Sequence, residues 1–234
     1  MSVLYMTGVG PGDPELLTLR AARLIREADI LFVPVKKKES RRSLALEVVK
    51  KALDLQDKKI VFLYFPMVRG EANMRPYFEQ AAREVKLAFR ENKTGVFITI
   101  GCSTIYSTPG NLFKVLRGSG IRIRFVPGVS SINASAAAAG EPLVYSEDKL
   151  AVLPATYSVD ELEETLNHFD RVVLMKAHSC LEKITEVIKR KGWEKYSYLI
   201  ERASTETEKA TPLSEIPEGY QPHYMSTVII KRKG

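Results

Sequence analysis

Short apolar runs rich in β-branched and aromatic residues alternate with longer segments of helical periodicity through the first half of this chain. Five such runs predict strands, at residues 3–7, 30–35, 59–64, 95–100 and 121–126. Four segments between them repeat apolar residues every three or four positions and predict helices, at residues 15–27, 43–53, 71–90 and 111–117. Strands that alternate with helices in this way favour a mostly parallel α/β sheet.

The second half continues the α/β pattern. It predicts strands at residues 150–153, 171–175, 196–201 and 225–231, and helices at residues 131–139, 159–167 and 180–191. No repeat, low-complexity tract or long linker interrupts the sequence, and 234 residues suffice to bury sizeable cores. We therefore predict two compact α/β lobes, residues 1–125 and residues 126–234.

The composition is that of a folded protein with a basic surplus. Lys and Arg number 35 against 28 Asp and Glu, which gives a net charge of +7. A surplus of this sign favours a polyanionic partner, which could be nucleic acid, a membrane or a small molecule rich in carboxylates or phosphates. No apolar run approaches the roughly 18 residues that cross a bilayer, and the first residues lack the pattern of a signal peptide, so we expect a cytoplasmic protein without a membrane span.

The cysteines and histidines carry no recognisable pattern. Cys102 and Cys180 are far apart, so the sequence predicts neither a disulfide framework nor a metal or redox pair. The three histidines, His168, His178 and His223, show no metal-ligand spacing. We therefore predict no catalytic metal bound by the protein.

The first predicted strand runs into a loop with three glycines, residues 8–13. Asp13 suits a helix N-cap and Pro14 the first helical position. Asp13 would place a carboxylate where a dinucleotide fingerprint requires glycine, and Pro14-Glu15 stands where a P-loop requires Lys-Ser/Thr, so both nucleotide motifs are excluded. A capped tight turn explains Asp13 and Pro14 but not the glycines, which would also let a ligand approach the backbone closely.

Two later loops carry small and hydroxyl-bearing residues. One, residues 101–110, follows the fourth predicted strand, where open α/β sheets bind ligands. The other, residues 126–131, places Ser130 and Ser131 at the start of an alanine-rich helix near the predicted lobe junction. For either serine alone, ligand contact and ordinary N-capping remain open.

Taken together, these segments resemble the tetrapyrrole methylases, the class III S-adenosylmethionine-dependent methyltransferases. The motifs are VGPGDPELLT at 9–18, AD at 28–29, GCSTIYST at 101–108 and PGVSS at 127–131. Later segments resemble the precorrin-2/cobalt-factor II C(20)-methyltransferases of vitamin B12 synthesis: LAVLPAT at 150–156, VVLMK at 172–176, IERA at 200–203 and MST at 225–227. The resemblance covers essentially the whole chain in order and spacing.

The resemblance implies a homodimer of two α/β lobes with S-adenosylmethionine in the cleft between them and S-adenosylhomocysteine as product. Position by position, it implies cofactor contacts at Pro11, Gly101, Cys102, Ile105, Ser130, Ser131, Met175, Ala203 and Ser204. The family usually reads Gly-Asp-Pro where this chain reads Gly101-Cys102-Ser103, so a thiol replaces an acidic hydrogen-bond acceptor.

The implied reaction is methylation of meso carbon 20 of precorrin-2 or its cobalt form, a ring with eight carboxylates. We expect basic side chains after the second and third strands to hold these carboxylates, namely Lys36, Lys38, Arg41, Arg42, Arg69 and Arg75. A solvated lysine-rich loop is the alternative for each of them. The sequence assigns no general base for removal of the ring proton, and it does not distinguish the metal-free from the cobalt-containing substrate.

Two other functions remain open at this point. The same fold could methylate another corrin carbon or ribosomal RNA, although the chain shows neither aromatic stacking platforms nor an RNA-binding appendage, so nucleic acid is not the expected partner. A non-catalytic homologue that binds the cofactor or a tetrapyrrole is the other, because Cys102 departs from the usual acid.

Overall fold

The computed structural model describes residues 2–56, 58–68, 70–89, 93–155 and 159–232. Arg69, Arg90 and Thr156, on which parts of the sequence predictions fall, lie outside these ranges. The chain forms two compact units, Met1–Ser130 and Ser131–Gly234. The division falls a few residues after the predicted one because residues 127–130 pack with the first unit, where Gly128 contacts the backbone of Gly8.

The first unit is built on a parallel sheet of five strands. These are β1 (Val3–Gly8), β2 (Ile30–Val35), β3 (Lys59–Tyr64), β4 (Thr94–Thr99) and β5 (Arg122–Val126). Their order is β3-β2-β4-β1-β5, so β4 lies between the two strands that begin the chain. All five strands therefore end at the same edge, which we call the carboxyl edge of the first sheet.

Helices cover both faces of this sheet. They are α1 (Leu19–Glu27), α2 (Leu44–Ala52), α3 (Glu71–Ala88) and α4 (Thr108–Leu116). Alternate residues of each strand point to opposite faces, and the core follows this alternation. Ile30 and Phe32 pack in one buried cluster with α3 and α4, whereas Leu31 and Val33 pack in another with α1 and α2.

The second unit is built on a mixed sheet. It contains α5 (Ser131–Ala138), β6 (Leu150–Pro154), α6 (Val159–His168), β7 (Arg171–Met175), α7 (Leu181–Lys191), β8 (Tyr198–Glu201), β9 (Lys209–Pro212) and β10 (Ser226–Lys231). The strand order is β6-β7-β10-β8-β9. β6 is parallel to β7, and β10 is antiparallel to both β7 and β8. One face packs against α6 and α7 around Leu174 and Val228, while α5 contacts β9 and β10.

The structure confirms the predicted α/β class and corrects several element boundaries. The helix predicted at 15–27 is a 3-10 turn, Pro14–Leu16, followed by α1. Each has its own cap: the Asp13 side chain accepts a hydrogen bond from the Glu15 backbone N–H (2.8 Å), and the Thr18 hydroxyl accepts one from Ala21 (3.2 Å). The sequence analysis missed β9, and it predicted α4 to begin three residues too late.

Candidate functional site

The carboxyl edge of the first sheet collects most of the residues predicted to bind a ligand. Because the five strands are parallel, the loops after β1, β4 and β5 all lie along it. These loops carry five of the predicted cofactor contacts, which are Pro11, Gly101, Cys102, Ile105 and Ser130. Ser131, also predicted, begins α5 in the second unit. An edge of this kind is the usual ligand site of an open α/β sheet.

Four glycines bring these loops into backbone contact. A Cβ on Gly8 would lie 2.4 Å from the carbonyl oxygen of Gly101 and 2.8 Å from the nitrogen of Gly128. Gly10 and Gly101 also exchange backbone hydrogen bonds of 2.7 and 3.3 Å, and both have positive φ, +82° and +70°. Side chains cannot occupy these places without moving the main chain. The glycines of the first loop are therefore explained in part by packing among the loops themselves.

The loop after β4 is held by hydroxyl groups. The buried Ser103 hydroxyl donates to the carbonyl of Val126 (2.9 Å), which ties this loop to the end of β5. The Ser107 hydroxyl donates back to the carbonyl of Ser103. Between them, Tyr106 adopts a positive φ of 42°, which is uncommon outside glycine. Ile105 is half-buried beside this strained residue.

The thiol of Cys102 is half-buried at the same edge, in contact with hydrogen-bond donors. Burial by itself raises the pKa of this thiol, but hydrogen bonds from the Thr104 hydroxyl and from the backbone of Thr104, Gly128 and Ser103 together outweigh it and hold the pKa below its ordinary value. The Sγ to Thr104 Oγ1 distance is 3.2 Å. The position where the family resemblance implies a carboxylate thus carries a side chain that forms an anion more readily than a free cysteine does.

The basic residues predicted to hold substrate carboxylates lie partly at this edge. Four of them, Lys36, Lys38, Arg41 and Arg42, are exposed on the loop after β2. The Arg41 guanidinium lies 6.0 Å from the centre of the Phe62 ring, and burial lowers the pKa of the Lys36 ammonium. Arg75 lies on α3 and pairs with Glu79 at 3.0 Å, as expected of an i,i+4 helix pair.

The second sheet has a corresponding edge. Since β6, β7 and β8 all run antiparallel to β10, their carboxyl ends meet the beginning of β10. The remaining predicted cofactor contacts lie here: Met175 ends β7 and is half-buried, while Ala203 is buried and Ser204 half-buried after β8. The Met175 carbonyl accepts a hydrogen bond from Ala155 (2.7 Å), which follows β6. We call this the carboxyl edge of the second sheet.

Three residues at this second edge adopt the left-handed conformation without being glycine. They are Lys176 (φ 63°), Arg202 (φ 51°) and Ser204 (φ 58°). Each adjoins or is itself a predicted cofactor contact, and Tyr106 adjoins another in the first unit. Strained backbone of this kind is concentrated at functional sites. The sequence gave no indication of this conformation at Lys176 and Arg202, because nothing in their side chains signals a left-handed backbone.

A buried carboxylate stabilises the same edge. Glu201, the last residue of β8, is 7% exposed. One of its oxygens accepts a hydrogen bond from the Tyr220 hydroxyl (2.8 Å) and the other from the His223 backbone N–H. The hydrogen bond to Glu201 raises the pKa of the Tyr220 phenol, with smaller effects of burial and of the carboxylate charge. Glu201 therefore fixes the segment that leads into β10 against the loop after β8.

Solved structures of two methyltransferases share this fold. A uroporphyrin-III C-methyl transferase from Thermus thermophilus complexed with S-adenyl homocysteine resembles the chain with a TM-score of 0.71 and 23% identity, over 98% of this chain and 97% of that one. A cobalt precorrin-4 methyltransferase resembles it with a TM-score of 0.70 and 18% identity, over 97% and 94% of the two chains. At these identities the likeness establishes the fold.

The chain belongs to the Tetrapyrrole (Corrin/Porphyrin) Methylases, whose family profile matches residues 3–217. A probable cobalt-precorrin-2 C(20)-methyltransferase of Methanocaldococcus jannaschii is 37% identical over 231 residues, 98% of this chain and 96% of the relative. A cobalt-precorrin-2 C(20)-methyltransferase of Salmonella typhimurium is 30% identical over the same shares. The predicted family is confirmed.

No helix within the described ranges combines the length and apolar character needed to cross a membrane. Among the same residues, no three His, Cys, Asp or Glu side chains are grouped so that they could hold a metal ion.

Proposed function

We propose that the protein transfers a methyl group from S-adenosylmethionine to carbon 20 of precorrin-2 or cobalt-factor II during cobalamin biosynthesis. The observation that carries this proposal is the 37% identity, over nearly the full length of both chains, to a relative named for that reaction. The Salmonella relative and a precorrin-2 C(20)-methyltransferase of Sinorhizobium support the same assignment. These names favour carbon 20 over another corrin carbon, RNA or a non-catalytic role.

The proposed cofactor contacts are those at the two carboxyl edges. In the first unit they are Pro11, Gly101, Cys102, Ile105 and Ser130, and in the second they are Ser131, Met175, Ala203 and Ser204. Three features suit a polar, multi-ring ligand: backbone held close by glycine, half-buried hydroxyls and a thiol of lowered pKa. The hydrogen bonds that lower this pKa also support cofactor binding despite the missing acid, because they show that the Cys102 sulfur acts as an acceptor at the position of the usual carboxylate.

The chemistry requires little of the protein beyond binding and orientation. When bound, S-adenosylmethionine supplies a methyl group on a sulfonium, which is already an activated leaving group. The edge residues hold the reacting atoms in line and exclude water, and orientation of this kind contributes about 7–11 kcal/mol toward lowering a barrier. Strained residues such as Tyr106 fix the loop geometry in advance, so binding does not have to impose it.

The basic loop after β2 holds the acidic ring. Lys36, Lys38, Arg41 and Arg42 are exposed at the first carboxyl edge, and we assign Arg69 and Arg75 the same role. Replacing both Arg41 and Arg42 with Gln should raise the Michaelis constant for the tetrapyrrole at least about tenfold, since even one hydrogen bond to a charged group contributes roughly 1.5–3 kcal/mol. Affinity for S-adenosylhomocysteine should stay unchanged. An unchanged Michaelis constant would remove the loop from the substrate site.

The decisive experiment uses a labelled methyl group. The purified protein is incubated with S-adenosylmethionine carrying a ¹³C-methyl and, in separate reactions, with precorrin-2 and cobalt-factor II. We expect mass analysis to show one added methyl, and ¹³C spectroscopy to place it on carbon 20. Gly8→Ala, which distorts the first edge, serves as the control. No transfer to either ring, or transfer to another carbon, would contradict the proposal.

We further propose that the protein is a cytoplasmic homodimer. The support is the family resemblance read from the sequence motifs. Sedimentation equilibrium of the purified protein should give twice the mass of one chain at micromolar concentration, and a single-chain mass would contradict the dimer. Fractionation of the source cells should place the protein with cytoplasmic enzymes.

A further inference from the structure

Two basic residues stand on either side of the start of β10. Lys176 follows β7, Arg202 follows β8, and β10 lies between these strands. The Arg202 N–H donates to the carbonyl of Met225 (2.9 Å), and the Lys176 N–H donates to that of Ser226 (3.1 Å). Neighbouring strands are about 4.8 Å apart, so the backbones of the two basic residues are separated by about 10 Å across β10.

Both basic residues are held in the left-handed conformation, at φ 63° for Lys176 and 51° for Arg202. This conformation costs a residue with a Cβ free energy, and it persists only where the surrounding structure determines it. The Arg202 guanidinium is also fixed by a hydrogen bond to the Thr207 hydroxyl (3.0 Å), which uses one of its five donors. Two long cationic side chains thus begin from backbone positions that the fold specifies.

A buried hydroxyl belongs to the strand that lies between them. Ser226 is 4% exposed, and its Oγ makes no hydrogen bond to the residues that the structure describes. The buried Nδ1 of His178, two residues after Lys176, likewise makes no hydrogen bond to the residues that the structure describes. Buried polar atoms are nearly always satisfied in folded proteins, so two such atoms at one edge require a polar partner.

The charge at this edge favours an anion. Two acidic groups nearby already accept hydrogen bonds from neighbouring protein groups: Glu201 accepts from Tyr220 and His223, and Glu208 accepts from the Ser204 N–H. Part of Lys176 reaches solvent, but burial of its ammonium by surrounding atoms lowers its pKa. A partly desolvated ammonium gains more from an anionic partner than one in water.

We propose that Lys176, Arg202 and Ser226 form a carboxylate-binding site at the carboxyl edge of the second sheet. The inference rests on the proposed function, which supplies two carboxylate-bearing ligands: the acidic tetrapyrrole and the amino-acid end of S-adenosylmethionine. Both would be bound by the same chemistry, a pair of cations with a hydroxyl donor between them. The experiment below distinguishes them.

Charge removal at constant size tests the two cations. We expect Lys176→Gln and Arg202→Gln each to weaken carboxylate binding about tenfold, which corresponds to about 1.4 kcal/mol. The control is Lys183→Gln, an exposed lysine on α7. The measurements are the Michaelis constant of the tetrapyrrole and the dissociation constants of S-adenosylhomocysteine and of 5′-methylthioadenosine, which lacks the amino-acid end.

Each outcome has a defined meaning. A raised Michaelis constant with unchanged S-adenosylhomocysteine affinity assigns the carboxylate to the tetrapyrrole. Weaker binding of S-adenosylhomocysteine with unchanged binding of methylthioadenosine assigns the carboxylate to the cofactor. The site is overturned, and the proposed function left intact, if all three constants are unchanged. The same conclusion follows if the binding of methylthioadenosine weakens as much as that of S-adenosylhomocysteine. A wild-type protein that neither binds the cofactor nor transfers methyl overturns the proposed function and the site with it.

Ser226→Ala separates binding from a structural role. Removing a buried hydroxyl that lacks a partner should raise the melting temperature of the free protein, because its desolvation cost disappears. The same change should weaken carboxylate binding several-fold. Ser119→Ala, which removes another buried hydroxyl without a partner among the described residues, should also raise the melting temperature without changing binding. Lower stability with unchanged binding in Ser226→Ala would overturn the role of the hydroxyl.

Discussion

The two units shape their carboxyl edges by different means. At the first edge, loops approach so closely that Gly8, Gly101 and Gly128 touch through their backbones. At the second, Lys176, Arg202 and Ser204 keep their side chains and accept a left-handed backbone. Glycine allows close approach but contributes no functional group. The second edge carries strain and, in return, keeps two cationic side chains and a hydroxyl at these positions.

The largest effect should come from breaking the glycine contact of the first edge. Gly8→Ala places a Cβ 2.4 Å from a carbonyl oxygen of the main chain, which cannot move aside as a flexible side chain would. We expect a loss of about 3 kcal/mol in the free energy of unfolding, measured by urea denaturation. Gly110→Ala in α4 meets only the Ser107 hydroxyl, at 3.9 Å, and should instead stabilise by about 0.5 kcal/mol. An unchanged free energy of unfolding in Gly8→Ala would show that close backbone packing does not determine the shape of this edge.

The second edge should depend on its buried carboxylate. Glu201→Ala leaves the Tyr220 hydroxyl and the His223 N–H without their acceptor, so we expect a loss of about 1–3 kcal/mol in unfolding free energy. Glu201→Gln retains an oxygen acceptor and should therefore lose less unfolding free energy than Glu201→Ala. Equal losses in the two variants would show that the hydrogen bonds are not the reason for the buried acid.

The hydrogen bond from Tyr220 to Glu201 predicts that the stability of the protein falls at alkaline pH. The folded state raises the pKa of Tyr220, so it holds the phenol proton more tightly than the unfolded chain does. The contribution of Tyr220 to stability is therefore complete below the ordinary pKa of tyrosine and is lost as the pH rises through the raised value. Tyr220→Phe should flatten this part of the pH dependence of unfolding. A slope identical to that of the wild type would contradict the assignment.

Relieving strain at the second edge should have a smaller effect of opposite sign. Ser204→Gly removes the Cβ at φ 58°, and we expect a gain of about 0.5–1 kcal/mol in unfolding free energy after the added entropy of the unfolded chain is counted. Gly192→Ala makes the reverse change at the end of α7, where φ is 68° and nothing lies within 4 Å of the added Cβ. It should cost about 1 kcal/mol. A destabilised Ser204→Gly would mean that the serine makes contacts that outweigh the strain.

The smallest effect on stability should be at Cys102, where chemistry provides the readout. Because its pKa lies below the ordinary value, alkylation by iodoacetamide should accelerate at a lower pH than for an unperturbed cysteine. Cys102→Ser and Cys180→Ser assign the reaction to one residue. S-adenosylhomocysteine should protect Cys102 if this thiol contacts the cofactor. A pH profile like that of free cysteine would contradict the hydrogen-bonded thiol.

The contrast between the edges also explains what the sequence could predict. Strand positions in the first sheet follow from apolar runs, and its glycine-rich loop could be predicted as a candidate site because glycine is a visible signal. The sequence could not show that β4 inserts between β1 and β2, since strand order depends on long-range packing. It missed β9, a short edge strand that reads Lys-Ala-Thr-Pro and lacks apolar alternation.

The predicted cofactor residues divide in the same way. Those of the first unit lie along one sheet edge because parallel strands end together, a consequence that follows from the fold class alone. Met175, Ala203 and Ser204 came from the family resemblance, and the structure places them beside residues that no residue-level rule would have selected. Lys176 and Arg202 look like ordinary surface cations until their backbone conformation is known.

The position of β1 in the sheet delays its pairing during synthesis, because both of its partner strands come much later in the chain. Its two partners are β4 and β5, with Val3 paired to Thr94 on one side and Arg122 on the other. On the ribosome the first strand emerges long before either partner, and at 5–20 residues per second the wait is on the order of ten seconds. During that time Leu4 and Met6, both fully buried in the finished sheet, remain exposed. A slower or paused translation would therefore lengthen the exposure of these two side chains.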